Sequence, residues 1–335
     1  KRRLISDVDL GVFLSGGLDS SLIVSSLAEQ GYSLPCFTMG FEGASDYYEE
    51  RPQAKRLAKY FGMKHHSFEI NEKSILKNIP EILNASDEPF ADTSALPFYM
   101  LSKKVSSSVK VVLSGDGGDE VFGGYRKHLG EKWSSASNLI PKFIRIIIIK
   151  TLIENKNTYY GEISRRVRRF LINTHKDGSL RQAGYIEQVN ENSIKKLFGV
   201  NIENTKKLLD VHRKTFKDPI NAMLAADLGF SLAGDMLVKA DRMSMANSLE
   251  VRSPFLDKDL VEYTFSLPGK LKIGNFSGKK LLKESFKNRL PSWSMKLSKK
   301  GFEIPIADWL RNDLKNMLED SSSKKTLEKM GIIDH

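Results

Sequence analysis

Cysteine is nearly missing from this chain: Cys36 is the single one in 335 residues. An internal disulfide and a multi-thiolate metal cluster are therefore excluded, which fits a reducing, cytoplasmic setting. Any metal site has to be built from oxygen donors. Cys36 itself lies between Pro35 and Phe37 in a strand-like run and reads as a small buried residue. Long apolar runs are missing too. The longest, Ile144 to Ile149 followed by Leu152 and Ile153, is interrupted by Arg145 and Lys150, and falls far short of the ~20 residues of a membrane span. It reads as a buried helix. No secretory leader is visible where Lys1-Arg2-Arg3 runs into the Ser6-Asp7 turn, and neither repeats nor low-complexity tracts occur.

What is present is a chain that is 40% hydrophobic and long enough to bury a substantial core. Fifty-two basic residues against 41 acidic ones give a formal charge of +11, compatible with a polyanionic ligand. The densest basic cluster, Arg165, Arg166, Arg168 and Arg169, alternates with Val167 and Phe170 in a helical register. It reads as a solvated helix face, since no RNA-binding motif accompanies it.

Residues 1 to about 130 alternate strand and helix signals. Strands are predicted at Leu10–Leu14, Leu34–Met39, His65–Ile70 and Lys110–Leu113, with helices at Ser20–Gln30, Glu49–Phe61, near Ile75–Leu83 and at Ser94–Val105. This alternation implies an α/β fold, a parallel sheet with helices on both faces. From 131 to 335 the pattern is mostly helical, which divides the chain into an α/β core (1–130) and a helical region (131–335).

The heptapeptide Ser15-Gly16-Gly17-Leu18-Asp19-Ser20-Ser21 sits between the apolar run Val12-Phe13-Leu14 and a periodic stretch from Leu22 to Leu27. Two glycines permit close backbone approach, and the N–H groups of a following helix would face a polyphosphate. A tight strand-to-helix turn is the plainer alternative. A second glycine-rich segment, Leu113-Ser114-Gly115-Asp116-Gly117-Gly118-Asp119-Glu120-Val121-Phe122-Gly123-Gly124-Tyr125, follows the strand at Lys110–Leu113. Because ligands of open parallel sheets sit beyond the carboxyl ends of strands, the two loops could wall one crevice. Gly274 to Lys280 superficially resembles a Walker loop. It has three residues between its glycines where four belong, and Lys280 where a Mg²⁺-binding hydroxyl belongs, so it is read as a loop ahead of a helix from Lys280 to Arg289.

The first loop resembles the S-G-G-x-D-S loop of the N-type ATP pyrophosphatases, which cleave ATP between its α and β phosphates. The second loop, together with Leu237 to Ala246, Leu249 to Asp257 and Lys299-Lys300-Gly301-Phe302, resembles the synthetase domain of glutamine-hydrolysing asparagine synthetases. These motifs span residues 12 to 302 in order. The resemblance implies an adenine nucleotide α-hydrolase-like fold, ATP and Mg²⁺ as cofactors, and amidation of aspartate through β-aspartyl-AMP. It further implies ammonia from glutamine, supplied by an upstream glutaminase domain that this stretch does not contain, and a closing segment cut short at His335. Aspartate and ammonia are the expected partners, with no nucleic acid and no membrane, and a homodimer as a candidate assembly. Enzymes that adenylate another carboxylate share the first loop: β-lactam synthetases, lasso-peptide cyclases and polysaccharide amidotransferases. A tRNA-modifying pyrophosphatase is the more distant alternative.

Residue by residue, the resemblance implies that Ser15, Gly16, Gly17 and Ser20 bind the pyrophosphate and that Leu14, Met39, Ser114 and Gly115 surround the nucleotide. A carboxylate within a polyphosphate loop repels its ligand unless a metal intervenes, so Asp19 and Asp119 are read as Mg²⁺ ligands, with helix N-caps as the alternative for each. Asp116 stands where well-known asparagine synthetases carry Glu, which is thought to help deprotonate ammonia, while many family members show Asp as here; a solely structural turn role is the alternative. Lys299 is expected to contact phosphate late in the reaction, with Lys300 able to exchange roles with it. Asp235, Asp241 or Arg252 is assigned to aspartate recognition, although the default reading of Asp241, Arg242, Glu250 and Arg252 is an ion-pair network between helices.

Overall fold

The β-branched and aromatic runs predicted as strands assemble into one parallel sheet in the computed structural model. It describes residues 1–43, 45, 48–88, 90–137, 140–153, 158–187, 189, 191–199, 205–295, 306–312 and 314–331. By compactness the chain forms two units, each of three stretches. One comprises Lys1–Gly118, Leu232–Val261 and Lys283–Ser323; the other comprises Asp119–Ser231, Glu262–Leu282 and Lys324–His335.

In the first unit the chain runs β1 (Leu10–Phe13), α1 (Leu18–Glu29), β2 (Cys36–Phe41), α2 (Arg51–Tyr60), β3 (His65–Ile70), α3 (Glu72–Asn84), α4 (Ala95–Val105) and β4 (Val111–Leu113). A further strand, β5 (Glu250–Arg252), closes the order β3-β2-β1-β4-β5, with every pairing parallel. All six residues of β2 are buried, as a strand covered by helices on both faces requires. Helix α2 turns Ala54, Leu57 and Ala58 inward at i, i+3 and i+4. Asn71 caps α3 by accepting from Ser74 N at 2.9 Å. The core gathers Phe13, Phe37, Met39, Phe41, Phe98 and Trp309 with aliphatic residues of α3 and α4; Phe13 and Phe98 meet edge-to-face at 5.6 Å.

The strands and helices predicted for residues 10–113 are all present, with ends displaced by up to three residues. The fifth strand had no signal of its own. Three residues long, it is defined by pairing, Glu250 N donating to Lys110 O at 2.9 Å and Ser114 N to Arg252 O at 2.9 Å.

The second unit holds α5 (Gly118–Phe122) from Asp119 onward, α6 (Arg126–Ser137), α7 (Lys142–Ile153), α8 (Thr158–Asn173), α9 (Gly178–Ile186), α10 (Glu191–Phe198), α11 (Thr205–Arg213) and α12 (Pro219–Ala226). Pro219 opens α12 behind its cap Asp218, which accepts from Ile220 N and Asn221 N. A π-helical stretch, Asp227–Met236, follows. The interior is polar. Asp227, with a fully buried side chain, accepts from Lys127 Nζ at 2.6 Å, Gln182 Nε2 at 2.8 Å and His128 Nε2 at 2.7 Å. Glu131, also buried, is held by Arg181 Nε at 2.7 Å and Arg213 at 3.0 Å.

The apolar run at 144–149 is helical, as expected, but it is not a buried helix. Phe143, Ile146 and Ile147 of α7 are 64%, 43% and 59% exposed, while Arg145 is buried. Hydrophobicity alone suggested an inward face; the interior partner of α7 is a charge, Arg145, which bonds His175 Nδ1.

Candidate active site

Both glycine loops leave the sheet at the point where its strand order reverses. The chain lays β1, β2 and β3 to one side, then returns to place β4 on the other side of β1. The crevice beyond the carboxyl ends of two such strands is where open parallel sheets bind ligands. Leu14 and Ser15 follow β1; Ser114 and Gly115 follow β4.

The first loop is held by its own hydroxyls and by α2. Gly16 adopts φ +75°, and a Cβ there would fall 2.9 Å from the Gln53 side chain, so the position suits glycine alone. Gln53 Nε2 donates to Gly16 O at 2.7 Å. Ser15 and Ser20 hydroxyls lie 3.1 Å apart, Gly17 N donates to Ser15 Oγ at 3.2 Å, and Ser21 Oγ to Gly17 O at 2.6 Å. Helix α1 takes Gly17 as its N-cap, a residue with no side chain to cover the first turn. Asp19 is the second residue inside α1, not its N-cap, which removes that alternative.

The second loop presses on Asp19. A Cβ at Gly115 would lie 3.0 Å from Asp19 Cβ, and one at Gly118 would lie 2.8 Å from its Cγ. Any larger residue at Gly118 would displace the carboxylate. Ser114, buried, donates to Asp116 Oδ2 at 2.7 Å and lies 3.3 Å from Ser253 Oγ. This bond spans two residues and orients the Asp116 carboxylate. Leu14 is buried at the end of β1, and its carbonyl accepts from Thr38 Oγ1. Met39 does not end its strand, contrary to expectation: β2 continues to Phe41, and Met39 is buried in the core cluster. The β1–β2 register, Phe13 beside Phe37, continues to place Met39 one step beyond Leu14.

Asp119, in the second unit, lies inside the first turn of α5 and pairs with Lys279 Nζ at 2.6 Å. It too is no N-cap. Lys279 was missed because its loop was compared with the wrong template. The segment before Lys280 is no Walker loop, yet Gly278 packs on the Gly123–Gly124 turn and Lys279 N donates to Gly123 O. The following helix is shorter than expected, Lys280–Ser285. Glu120, also missed, is buried and accepts from Tyr125 OH at 2.5 Å; burial pushes its carboxyl up to about 7, against the hydrogen bond from Tyr125.

The tentative aspartate contacts separate. Asp235 belongs to a half-buried group in the first unit. Lys239 Nζ bonds Asp92 Oδ2 at 2.8 Å and Ser94 Oγ at 2.7 Å. Burial and the charge of Asp92 raise the Asp235 carboxyl, with Lys239 opposing. Asp235 Oδ1 is buried with no hydrogen-bond partner among the described residues. Asp241 is exposed on the helix Leu237–Met245, and Arg242 pairs with Asp87. Arg252 pairs with Glu250 at 2.6 Å and donates to the carbonyls of Arg3 and Ile5. That pair stands within β5, so it is a strand contact and not one between helices. Lys299 and Lys300 lie outside the described residues. Cys36 is fully buried, its thiol pushed up to about 12 by burial, as a packing residue would be.

Among the described residues no group of three or more His, Cys, Asp or Glu is arranged to hold a metal ion. Mg²⁺ usually takes one or two carboxylates and completes its shell with phosphate oxygens and water. Taken each by itself, the carboxylates of Asp19 in the first unit and of Asp119 in the second offer hard oxygen donors of the kind Mg²⁺ takes, and Asp119 is paired with the ammonium of Lys279.

Comparison with known proteins matches a family model described as asparagine synthase over residues 1–335. The chain is similar to asparagine synthetase [glutamine-hydrolyzing] 1 of Bacillus subtilis, 31% identical over 345 residues, covering 97% of this chain and 51% of that protein. It is similar also to the nodule asparagine synthetase of Pisum sativum, 38% identical over 137 residues, covering 37% of this chain and 23% of that protein. The amidase chyE of Penicillium rubens is 25% identical over 377 residues, covering all of this chain and 55% of that protein. The chain spans about half the length of the curated relatives it matches along most of its own length.

Proposed function

The chain belongs to the asparagine synthase family, and on that premise we propose that it is a carbon–nitrogen ligase that amidates aspartate at the expense of ATP. The β-carboxylate of aspartate attacks the α-phosphorus of ATP, the bond to the pyrophosphate oxygen breaks, and β-aspartyl-AMP forms. Ammonia then attacks the acyl carbon and AMP leaves with the bonding electrons. The observation that carries this reading is the convergence of two glycine loops on Asp19, at the reversal of the strand order.

Each residue has a physical task. Backbone N–H groups of Gly16 and Gly17, with the hydroxyls of Ser15 and Ser20, receive the pyrophosphate at the positive end of α1. Leu14, Met39, Ser114 and Gly115 border the nucleotide. Asp19 and Asp119 are the carboxylates that would hold Mg²⁺, which when bound would supply positive charge to the pyrophosphate. Lys279, paired with Asp119, adds a cation of the same use. Asp116, oriented by Ser114, takes a proton from the attacking ammonia. Lys299, or Lys300 in its place, stabilises phosphate late in the reaction. The buried, partnerless oxygen of Asp235 suits the α-ammonium of aspartate, since a desolvated acceptor gains most from a charged donor. Asp241 and Arg252 have less support: one is exposed, and the other is committed to Glu250 and to backbone carbonyls. In the whole protein, glutamine hydrolysis in a preceding domain supplies the ammonia.

The test is pyrophosphate release by this chain with ATP, Mg²⁺ and ammonium, with and without aspartate, and chromatography of the amino-acid product. Aspartate-dependent release with asparagine formed is expected. Release only with a different carboxylate would move the chain to another branch of the carboxylate-adenylating amide synthetases, a reading that the similarity to an amidase keeps in play.

A further inference from the structure

Helix α7 turns its greasy side to solvent. Phe143, Ile146 and Ile147 are 64%, 43% and 59% exposed and lie at i, i+3 and i+4, with exposed Lys150 completing the stripe at i+7. Ile144 borders the stripe. Arg145 is buried on the opposite side and bonds His175, two residues beyond the end of α8. The start of α7 therefore lies by the end of α8, and the two helices, which pack on each other, run antiparallel. With equal rise per residue in both helices, Arg168 and Arg169 fall beside the last turn of α7, and Arg165 and Arg166 follow just past its end. All four are exposed.

We propose that this helical hairpin is a docking surface for an anionic lipid bilayer: the Phe143–Ile147 stripe enters the headgroup–acyl boundary, and Lys150 with the α8 arginines pairs with lipid phosphates. The combination of an outward apolar stripe with adjoining clustered basic residues is the chemistry of an interfacial helix. Twelve residues are too few to span a bilayer, and no described helix is long and apolar enough to do so. Charge argues against the other occupants. A second copy docked through the same patch across a twofold axis would bring the basic clusters of both copies to one interface. An RNA strand would neutralise the arginines but leave the isoleucines in water, with Phe143 as the one exposed aromatic of α7 to stack on a base.

The 335-residue chain is to be floated with phosphatidylcholine vesicles, with and without phosphatidylserine, at low and high salt. Flotation with the anionic vesicles alone, weakened by salt, is expected. Ile146→Glu with Ile147→Glu should lower that partition by about tenfold or more. Arg168→Glu, which leaves the apolar stripe intact, should lower it by about fivefold. Circular dichroism verifies that each variant is folded. No flotation of the parent chain at low salt overturns the proposal, as does flotation of both variants equal to that of the parent. It is overturned too if the parent chain is a dimer by light scattering that the isoleucine variant dissolves, or if single-stranded RNA binds the parent and the isoleucine variant alike while vesicles bind neither.

Discussion

The two units solve the problem of fixing a carboxylate in opposite ways. In the sheet unit Asp19 is positioned by backbone: a positive φ at Gly16, the start of α1, and the close approach of Gly115 and Gly118. Its interior is apolar, built from Phe13, Phe37, Phe98 and their neighbours. In the helical unit the interior is ionic. Asp227 and Glu131 are buried among Lys127, His128, Arg181 and Arg213, and Asp119 is fixed by Lys279, while isoleucines of α7 face outward. Backbone geometry is indifferent to pH and salt; a network of buried charges is not. The contrast teaches where each unit is vulnerable: the sheet unit to changes of volume in its loops, the helical unit to loss of one charge.

The largest expected effect is on chemistry. Asp19→Asn keeps the shape that Gly118 accommodates but removes the charge to which the proposed function assigns the metal. Pyrophosphate release should fall by about 10²–10³-fold, with the denaturation midpoint nearly unchanged. A comparable loss of stability would mean that Asp19 holds the fold, and would erase the distinction between the units.

Asp227→Ala tests the helical unit directly. It leaves Lys127 without its carboxylate and removes an acceptor used by His128 and Gln182. Breaking a buried ion pair from one side costs about 3–5 kcal/mol, and urea denaturation should show a loss of that order. Gly16→Ala, in the sheet unit, should cost about 1–2 kcal/mol for its left-handed backbone, together with weaker nucleotide binding. If Gly16→Ala proved the more damaging to stability, the ranking of ionic interior above loop geometry would be reversed.

The same contrast explains what could be read in the sequence. The strands and helices of residues 10–113 are short-range patterns, and the two loops are contiguous motifs whose glycines announce themselves. The meeting of the two loops beyond β1 and β4 was therefore legible. β5 was not, because a three-residue strand exists through its partner β4 alone. Lys279 was not, because its role arises from Gly278 fitting the turn at Gly123, more than 150 residues earlier in the chain. The ionic interior had no signature, since Lys127, Glu131, Gln182, Arg213 and Asp227 look like surface residues until helices bring them together. The reading of α7 failed for the same reason: apolar residues have a strong tendency to be buried, but which helix face turns inward was decided by Arg145.

Glu120 offers the finest test, because pH separates it from its neighbours. Its carboxyl is raised to about 7 in the fold, chiefly by burial and with Asp119 adding to the rise. In the unfolded chain it ionises near 4.5. Between those values the folded chain binds the extra proton, so this group makes stability fall as pH rises from about 4.5 to about 7. His128 acts in the opposite sense over part of that range. Burial depresses its pKa below 6.5, against the pull of Asp227, so the unfolded chain takes up the proton first on acidification and stability rises with pH toward 6.5. Asp227 is held low by Lys127 and His128 in spite of its burial, and its contribution is lost only as pH drops below about 4. The parent chain can therefore show a shallow profile that hides both opposing slopes. Glu120→Gln removes one of them and retains an oxygen to accept from Tyr125. The variant should match the parent near pH 5 and exceed it progressively above, by up to about 3 kcal/mol at pH 8. A difference that stays constant from pH 5 to pH 8 would show that Glu120 is ionised throughout, and that the interior around α5 is far more solvated than its burial implies.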